Sequence, residues 1–151
     1  MNFRLATSGD IPQLIKLLSL LFGQEADFTP HAQRQRAGLE MALNDPNIGF
    51  ILVAEDDAKS EISGMVNLLF TVSTALGARV AILKDMVVSP ETRGQGIGSK
   101  LIEEAAKVCR EKGIQRITLL TDGDNQAAHS FYQKHQFDKS QMVVFRRFLE
   151  S

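Results

Sequence analysis

Arg93-Gly94-Gln95-Gly96-Ile97-Gly98 sets three glycines at alternate positions between an apolar strand-like run and a helical one. Without Cβ atoms, a backbone of this kind can turn successive N–H groups inward around one anion. From Ile97 to Lys112, apolar residues recur at Leu101, Ala105 and Val108, and at Ile102, Ala106 and Cys109. That spacing buries one helical face. The loop therefore stands at a helix N-terminus, where unpaired N–H groups and the helix dipole both favour a phosphate. Its chemistry is diphosphate binding. Two common glycine loops fail on spacing. A Walker loop ends in Gly-Lys-Ser/Thr, whereas Gly98-Ser99-Lys100 carries the last two in reverse order. A dinucleotide fingerprint needs a glycine where Ser99 stands, and it opens a βαβ unit early in a chain rather than past its middle.

The spacing Arg93-x-x-Gly96-x-Gly98, after Met86-Val87-Val88-Ser89-Pro90, resembles the acetyl-CoA loop of the GCN5-related N-acetyltransferases. A second segment points the same way. After Arg116-Ile117-Thr118-Leu119-Leu120-Thr121 come Asp122-Gly123-Asp124-Asn125, then Ala128, Phe131, Tyr132 and Phe137. This is similar to the family's second cofactor segment, in which an Asn opens a helix and a Tyr follows two turns later. Seven residues at helical pitch put Asn125 and Tyr132 on nearly the same face. Two such motifs in order, each after a strand, are more specific than either alone.

The resemblance implies an acetyl-CoA-dependent transfer of an acetyl group to a primary amine of a small molecule or peptide, directly in a ternary complex. It also implies that the strand before the loop splays from its neighbour, so that backbone amides of Met86, Val87 and Val88 can bond the pantetheine arm. The loop from Arg93 through Gln95 and Ile97 to Ser99 would hold the diphosphate. Arg93 could add its guanidinium or only its N–H. Asn125 could bond pantetheine amides or serve only as a helix cap. Tyr132, the one tyrosine, falls where the family has its general acid. A phenol of pKa about 10 can protonate a thiolate of pKa about 8.5 and stay protonated itself at neutral pH.

The base is less defined. Two family positions for a Glu fall on Ile82 and Lys84, neither of which can be that carboxylate. Asp85 remains, either as base or as an acceptor for backbone N–H groups where the strand bends. Lys84 beside it is expected to depress its pKa, which favours deprotonation through water, with Asp85 second. Glu25, Asp27 and His31 are alternatives. A non-catalytic acyl-CoA-binding sensor of the same fold would keep the glycine loop and explain the missing carboxylates at 82 and 84. Tyr132 argues for the enzyme. Gln136-Phe137 departs from the family's Gly-Phe, so a left-handed helix ending there would cost about 1–2 kcal/mol.

Composition sets the frame for these residues. With 151 residues, 44% hydrophobic and 23% charged, the chain 1–151 reads as one domain of ordinary globular type. A net charge of −1 with dispersed basic residues argues against nucleic acid. The one cysteine, Cys109, sits on an apolar helical stripe, reads as a buried thiol and fits a reducing cytoplasm. No signal peptide is expected from Met1-Asn2-Phe3-Arg4 onward. The apolar helix Ile11–Phe22 is too short and too polar to span a membrane. His31, His129 and His135 form no metal-ligand spacing, so no metal is expected, and the last two are expected on a helix surface.

The elements that must position the site follow from periodicity. Strands are expected at Phe3–Ala6, Phe50–Glu55, Ile62–Ser73, Arg79–Val88, Arg116–Thr121 and Met142–Leu149. Helices are expected at Ile11–Phe22 (N-cap Asp10), His31–Asn44, Ile97–Lys112 and Gln126–Gln136. This order predicts an α/β (α+β) domain with a mixed sheet of about six to seven strands flanked by four helices, the acetyltransferase fold. The acceptor would meet the loop Gly23–Pro30, the second helix and the turn near Ala75-Leu76-Gly77. The resemblance and the apolar final strand allow a homodimer.

Overall fold

The computed structural model describes residues 1–24 and 31–149. β1 (Asn2–Leu5), β2 (Gly49–Asp56), β3 (Glu61–Ser73) and β4 (Ala78–Val88) pair antiparallel in sequence order. β5 (Ile117–Leu119) joins β4 in parallel, giving one mixed sheet ordered β1-β2-β3-β4-β5. Four helices flank it: α1 (Ile11–Gln24), α2 (Ala32–Asn44), α3 (Ile97–Glu111) and α4 (Gln126–Lys134).

Apolar residues run almost without a break through β2, because both sheet faces are covered. Ile51 and Val53 point to one face and pack with Leu14, Leu17, Leu18 and Leu39 of α1 and α2. Phe50, Leu52 and Ala54 point to the other and pack with Leu101, Ile102 and Ala105 of α3. Each fully buried Leu or Val contributes about 1.5–3 kcal/mol.

The start of α1 differs from the reading of Asp10 as its cap. Asp10 ends a short 3-10 turn, Ser8–Asp10, that begins at Thr7 and runs into α1. Its carboxylate accepts from Thr7 N at 2.8 Å and from two Arg4 nitrogens at 2.8 and 2.9 Å. Arg4's hydrogen bonds hold the Asp10 carboxyl below the usual range, against the opposing pull of burial.

Two features of β4 decide how it can serve a site. Asn67 pairs with Asp85 and Leu68 with Leu83, so Lys84 is an extra residue, a β-bulge. Pairing with β5 covers only Ala81 to Leu83. Beyond that point β4 keeps β3 on one side and, among the described residues, has no strand on the other.

Among the described residues the sheet has five strands rather than six or seven. Met142–Leu149, expected as the last strand, joins no strand among the described residues, and its apolar side chains are exposed. β5 is correspondingly shorter than Arg116–Thr121. α4 stops at Lys134, with Phe137 N–H on Tyr132 O and Gln136 N–H on Gln133 O. That pair of bonds is a Schellman ending, and Gln136 occupies its left-handed position at φ 69°.

Candidate active site

The glycine loop follows a 3-10 turn, Pro90–Thr92, and caps α3 with Gly96. Gly94 and Gly96 have φ of 85° and 78°, a region closed to most side chains. A Cβ on either would meet nothing within 4 Å, so each presents bare backbone to open space. No side chain caps the N-terminus of α3, which leaves its first N–H groups free for an anion. Gly98 serves differently: a Cβ there would stand 3.2 Å from Met86 Cε and 3.5 Å from Phe131 Cζ. These residues fit a diphosphate held by backbone. Arg93 places its Nε on Val88 O at 3.2 Å, which ties the loop to the end of β4.

Met86, Val87 and Val88 lie on the part of β4 that β5 leaves uncovered. Their backbone edge faces a gap flanked by α3 and α4. Asn125 caps α4, with Oδ1 accepting from Ala128 N at 3.1 Å. Its oxygen is thereby used, and its amide N–H groups remain for a ligand. Tyr132 packs edge-on against Phe131 and Phe137 and sends its hydroxyl to Met86 Sδ at 3.8 Å. Sulfur is a weak acceptor, so the phenol is aimed at the gap without a strong partner. Burial pushes its pKa up to about 12.

Asp85 and Met86 are neighbours that serve opposite faces of the sheet. Met86 packs with the α3 cluster, whereas Asp85 lines a cavity of about 540 Å³ under α1 and α2. The bulge at Lys84 causes this. Without the extra residue, Asp85 would share the face of Leu83, which is in the α3 core. Asp85 Oδ2 accepts from Asn67 Nδ2 at 3.0 Å, a side-chain partner rather than the backbone N–H groups expected at a bend. Burial raises its pKa, and this outweighs the lowering by Asn67's hydrogen bond and by Lys84. The depression expected from Lys84 is present but outweighed by burial, so the net shift is upward.

Two further polar groups line the same cavity without a partner among the described residues: Asn67 Oδ1 and Gln35 Nε2. A buried unpaired group costs about 1–3 kcal/mol, a cost that a polar ligand would remove. Leu18, Leu39 and Leu69 supply apolar wall, and His31 and Arg34 stand at the start of α2. His31 Nδ1 accepts from Arg34 N at 3.3 Å. The turn at Ala75-Leu76-Gly77 does not line it. Glu25 and Asp27 lie outside the described residues. Sequence reasoning missed Asn67, although a lone Asn in Met65-Val66-Asn67-Leu68-Leu69 marks a polar group in a buried strand.

His135, expected on a helix surface, is instead part of a helix contact. Its Nε2 lies 2.9 Å from Ser99 Oγ and its Nδ1 3.0 Å from Glu103 Oε1, and the ring packs on Phe131. It locks α4, and with it Tyr132, to the first turn of α3. Cys109 is buried in the α3 core, and burial pushes its thiol up to about 11, far from a nucleophile's value. Among the described residues, no group of three His, Cys, Asp or Glu could hold a metal. No helix among them is long and apolar enough to cross a membrane.

Residues 12–137 match the profile of the acetyltransferase (GNAT) family. The chain belongs to that family. It is 29% identical over 139 residues to the aminoalkylphosphonate N-acetyltransferase of Salmonella typhimurium, covering 92% of this chain and 86% of that protein. It is 30% identical over 142 residues to the uncharacterized N-acetyltransferase YhfO of Bacillus subtilis, covering 92% and 91%. A possible acetyltransferase from Clostridium difficile superimposes with a TM-score of 0.87 at 15% identity, covering 99% and 98%, which is a likeness of fold. The five-stranded sheet with four flanking helices is the architecture of this acetyltransferase family.

Proposed function

We propose that this GNAT protein is an acetyl-CoA-dependent N-acetyltransferase that acetylates a small primary amine by direct transfer in a ternary complex. One observation carries the reading. Asp85 is a desolvated carboxylate at the wall of the cavity under α1 and α2, and its β4 neighbour Met86 accepts on Sδ from the hydroxyl of Tyr132 at 3.8 Å on the opposite face. A candidate base and a candidate acid thus flank the same stretch of β4, one on each face of the sheet.

Acetyl-CoA, when bound, supplies the acetyl group as an activated thioester. The chain's residues do the rest. N–H groups of the loop from Gly94 to Ser99 hold the diphosphate at the N-terminus of α3, and the open edge of Met86 to Val88 orients the arm. Asp85 receives a proton from the ammonium of the acceptor, with Asn67 Oδ1 accepting a second N–H. Its raised pKa brings it closer to that of the amine it must deprotonate. Tyr132, its pKa raised by burial, stays protonated near neutral pH and donates to the leaving sulfur. Its weakness as an acid is offset in part, because the same desolvation raises the proton affinity of a thiolate formed there.

The acceptor we infer is a short amine bearing an acidic group. Asp85 at one wall suits an ammonium, and Arg34 with His31 at the start of α2 suits an anion. The name of the Salmonella relative is consistent with this class. The test is release of free thiol from acetyl-CoA with a panel of amines: aminoalkylphosphonates, ω-amino acids, polyamines and peptides. Turnover confined to amines without an acidic group would refute the acceptor class. CoA binding with no turnover on any amine would favour a sensor instead.

A further inference from the structure

We propose that Gln35 is a specificity-determining residue, whose buried amide donates to an oxygen of the acceptor's acidic group and selects acidic amines over plain alkylamines. This rests on the cavity under α1 and α2 being the acceptor site. Gln35 and Leu39 are the buried residues of α2. They stand one turn apart on one face of the helix, and Leu39 belongs to the core that α1 and α2 share with β2. Gln35, only 7% exposed, thus occupies a position where the helical period calls for an apolar side chain. A leucine there would serve the fold better.

Ser19 of α1 fixes how the amide is turned. Its hydroxyl is shared between Ile15 O at 2.9 Å and Gln35 Oε1 at 3.4 Å. With Oε1 engaged on α1, Nε2 is left to the cavity that Gln35 lines, and among the described residues it has no partner. Asn67, 9% exposed, presents the complementary atom. Its Nδ2 donates to Asp85, so its Oδ1 is turned the other way and also lacks a partner among those residues. The cavity therefore holds buried acceptors, Asn67 Oδ1 with Asp85, and a buried donor, Gln35 Nε2. A ligand that satisfies both kinds brings N–H groups and an oxygen.

What α2 sets beside Gln35 makes that oxygen part of an acidic group. His31, one turn earlier on the helix, and Arg34 both line the cavity. Both are exposed. An exposed cation draws in anions of many kinds but discriminates weakly, because water and salt screen it. A buried neutral donor discriminates more sharply, since an amine without an oxygen leaves it unpaired in a desolvated site. Gly38, one turn after Gln35, also lines the cavity, and a Cβ there would meet nothing within 4 Å. α2 thus adds no side chain at that point of the wall, although glycine weakens a helix relative to alanine.

The test compares aminoethylphosphonate with butylamine as acceptors in wild type, Gln35→Leu and Gln35→Glu. In wild type, kcat/KM favours the phosphonate. Gln35→Leu should cut that preference by about 10–100-fold, as expected for one buried hydrogen bond to a charged group, chiefly through a higher KM for the phosphonate. Gln35→Glu keeps the shape but sets a carboxylate against the anion, and should cut the preference further. Gln35→Leu should also raise Tm at neutral pH, because an unpaired buried amide gives way to an apolar side chain.

A ratio of the two amines that Gln35→Leu does not move overturns the proposal. So does a lower Tm with equal loss on both amines, which would assign Gln35 to holding α1 and α2 together. Calorimetry of the same two amines separates this inference from the transferase reading. If wild type releases no thiol but binds the phosphonate, and Gln35→Leu weakens that binding relative to butylamine, the role of Gln35 stands and the transferase reading alone fails. Phosphonate binding that the variant leaves unaltered, or no binding and no turnover in wild type, overturns the role of Gln35. Gln35→Leu decides the matter even if Gln35→Glu fails to fold.

Discussion

Asp85→Asn separates a base from a structural residue, because the two roles predict opposite changes in stability. The substitution keeps the shape, and Asn Oδ1 can still accept from Asn67 Nδ2, now 3.0 Å from Asp85 Oδ2. If that hydrogen bond to a charged group were the residue's purpose, the loss would be about 1.5–3 kcal/mol. In a chain of this length it would lower Tm by about 3–12 °C. Our reading gives the other sign. Burial raises the folded-state pKa of Asp85 above its unfolded value. A group raised in this way supports the fold below its unfolded pKa and loses that contribution as pH rises through the folded pKa. At pH 8 the ionised carboxylate is a burden, so Asp85→Asn should be at least as stable as wild type there. The wild type should regain ground toward pH 4. Turnover should fall by about 10²–10⁴-fold, worth about 2.7–5.4 kcal/mol in the barrier. The acid limb of kcat/KM, displaced upward from the usual carboxylate range in wild type, should disappear. Thermal melts at pH 4 and pH 8 and a pH–rate profile on a verified amine measure all of this. A lower Tm at pH 8 with the limb retained would refute the assignment and return the proton to water.

Gly96→Val should weaken CoA binding by roughly 100-fold or more, through loss of about two charge-assisted contacts. The left-handed backbone itself should cost about 1–2 kcal/mol, so calorimetry below the lowered Tm is the measurement, and equal affinity would sink the loop assignment. Tyr132→Phe should leave acetyl-CoA affinity intact and cut turnover by ~10²-fold, checked under conditions where product release is not limiting. Gln136→Gly should stabilise the chain by about 1 kcal/mol, or about 2–4 °C in Tm, because φ at that position is 69°. A thermal melt at neutral pH checks it.

Much of the architecture is legible in the sequence where its cause is local. The glycine loop is a matter of backbone conformation, and Gly94 and Gly96 do take positive φ. Asn125 caps α4, and the departure at Gln136 is seen as a strained helix ending. What the sequence hides depends on partners far along the chain. The apolar spacing of Met142–Leu149 reads as a strand, but a strand needs a neighbour to pair with, and no strand among the described residues takes it. His135 lies on α4's C-terminal end at a position that looks solvated until α3 brings Ser99 and Glu103 to it. Asp85 has a pKa set by the cavity around it, whereas its neighbour Lys84 alone implies the opposite sign.

The bulge at Lys84 connects these site features physically. One extra residue in β4 reverses the faces of everything after it, which turns Asp85 from the α3 core into the cavity under α1 and α2. It also bends and twists the strand, and pairing with β5 ends at Leu83, the residue just before it. The open edge at Met86 to Val88 and the placement of Asp85 therefore share one cause. Lys84 itself needs only to be soluble at the bulge, which explains why a cation is tolerated where a carboxylate was sought. The carboxylate that the sequence lacks at 84 is present one residue later, and the geometry of the bulge gives it access to the cavity.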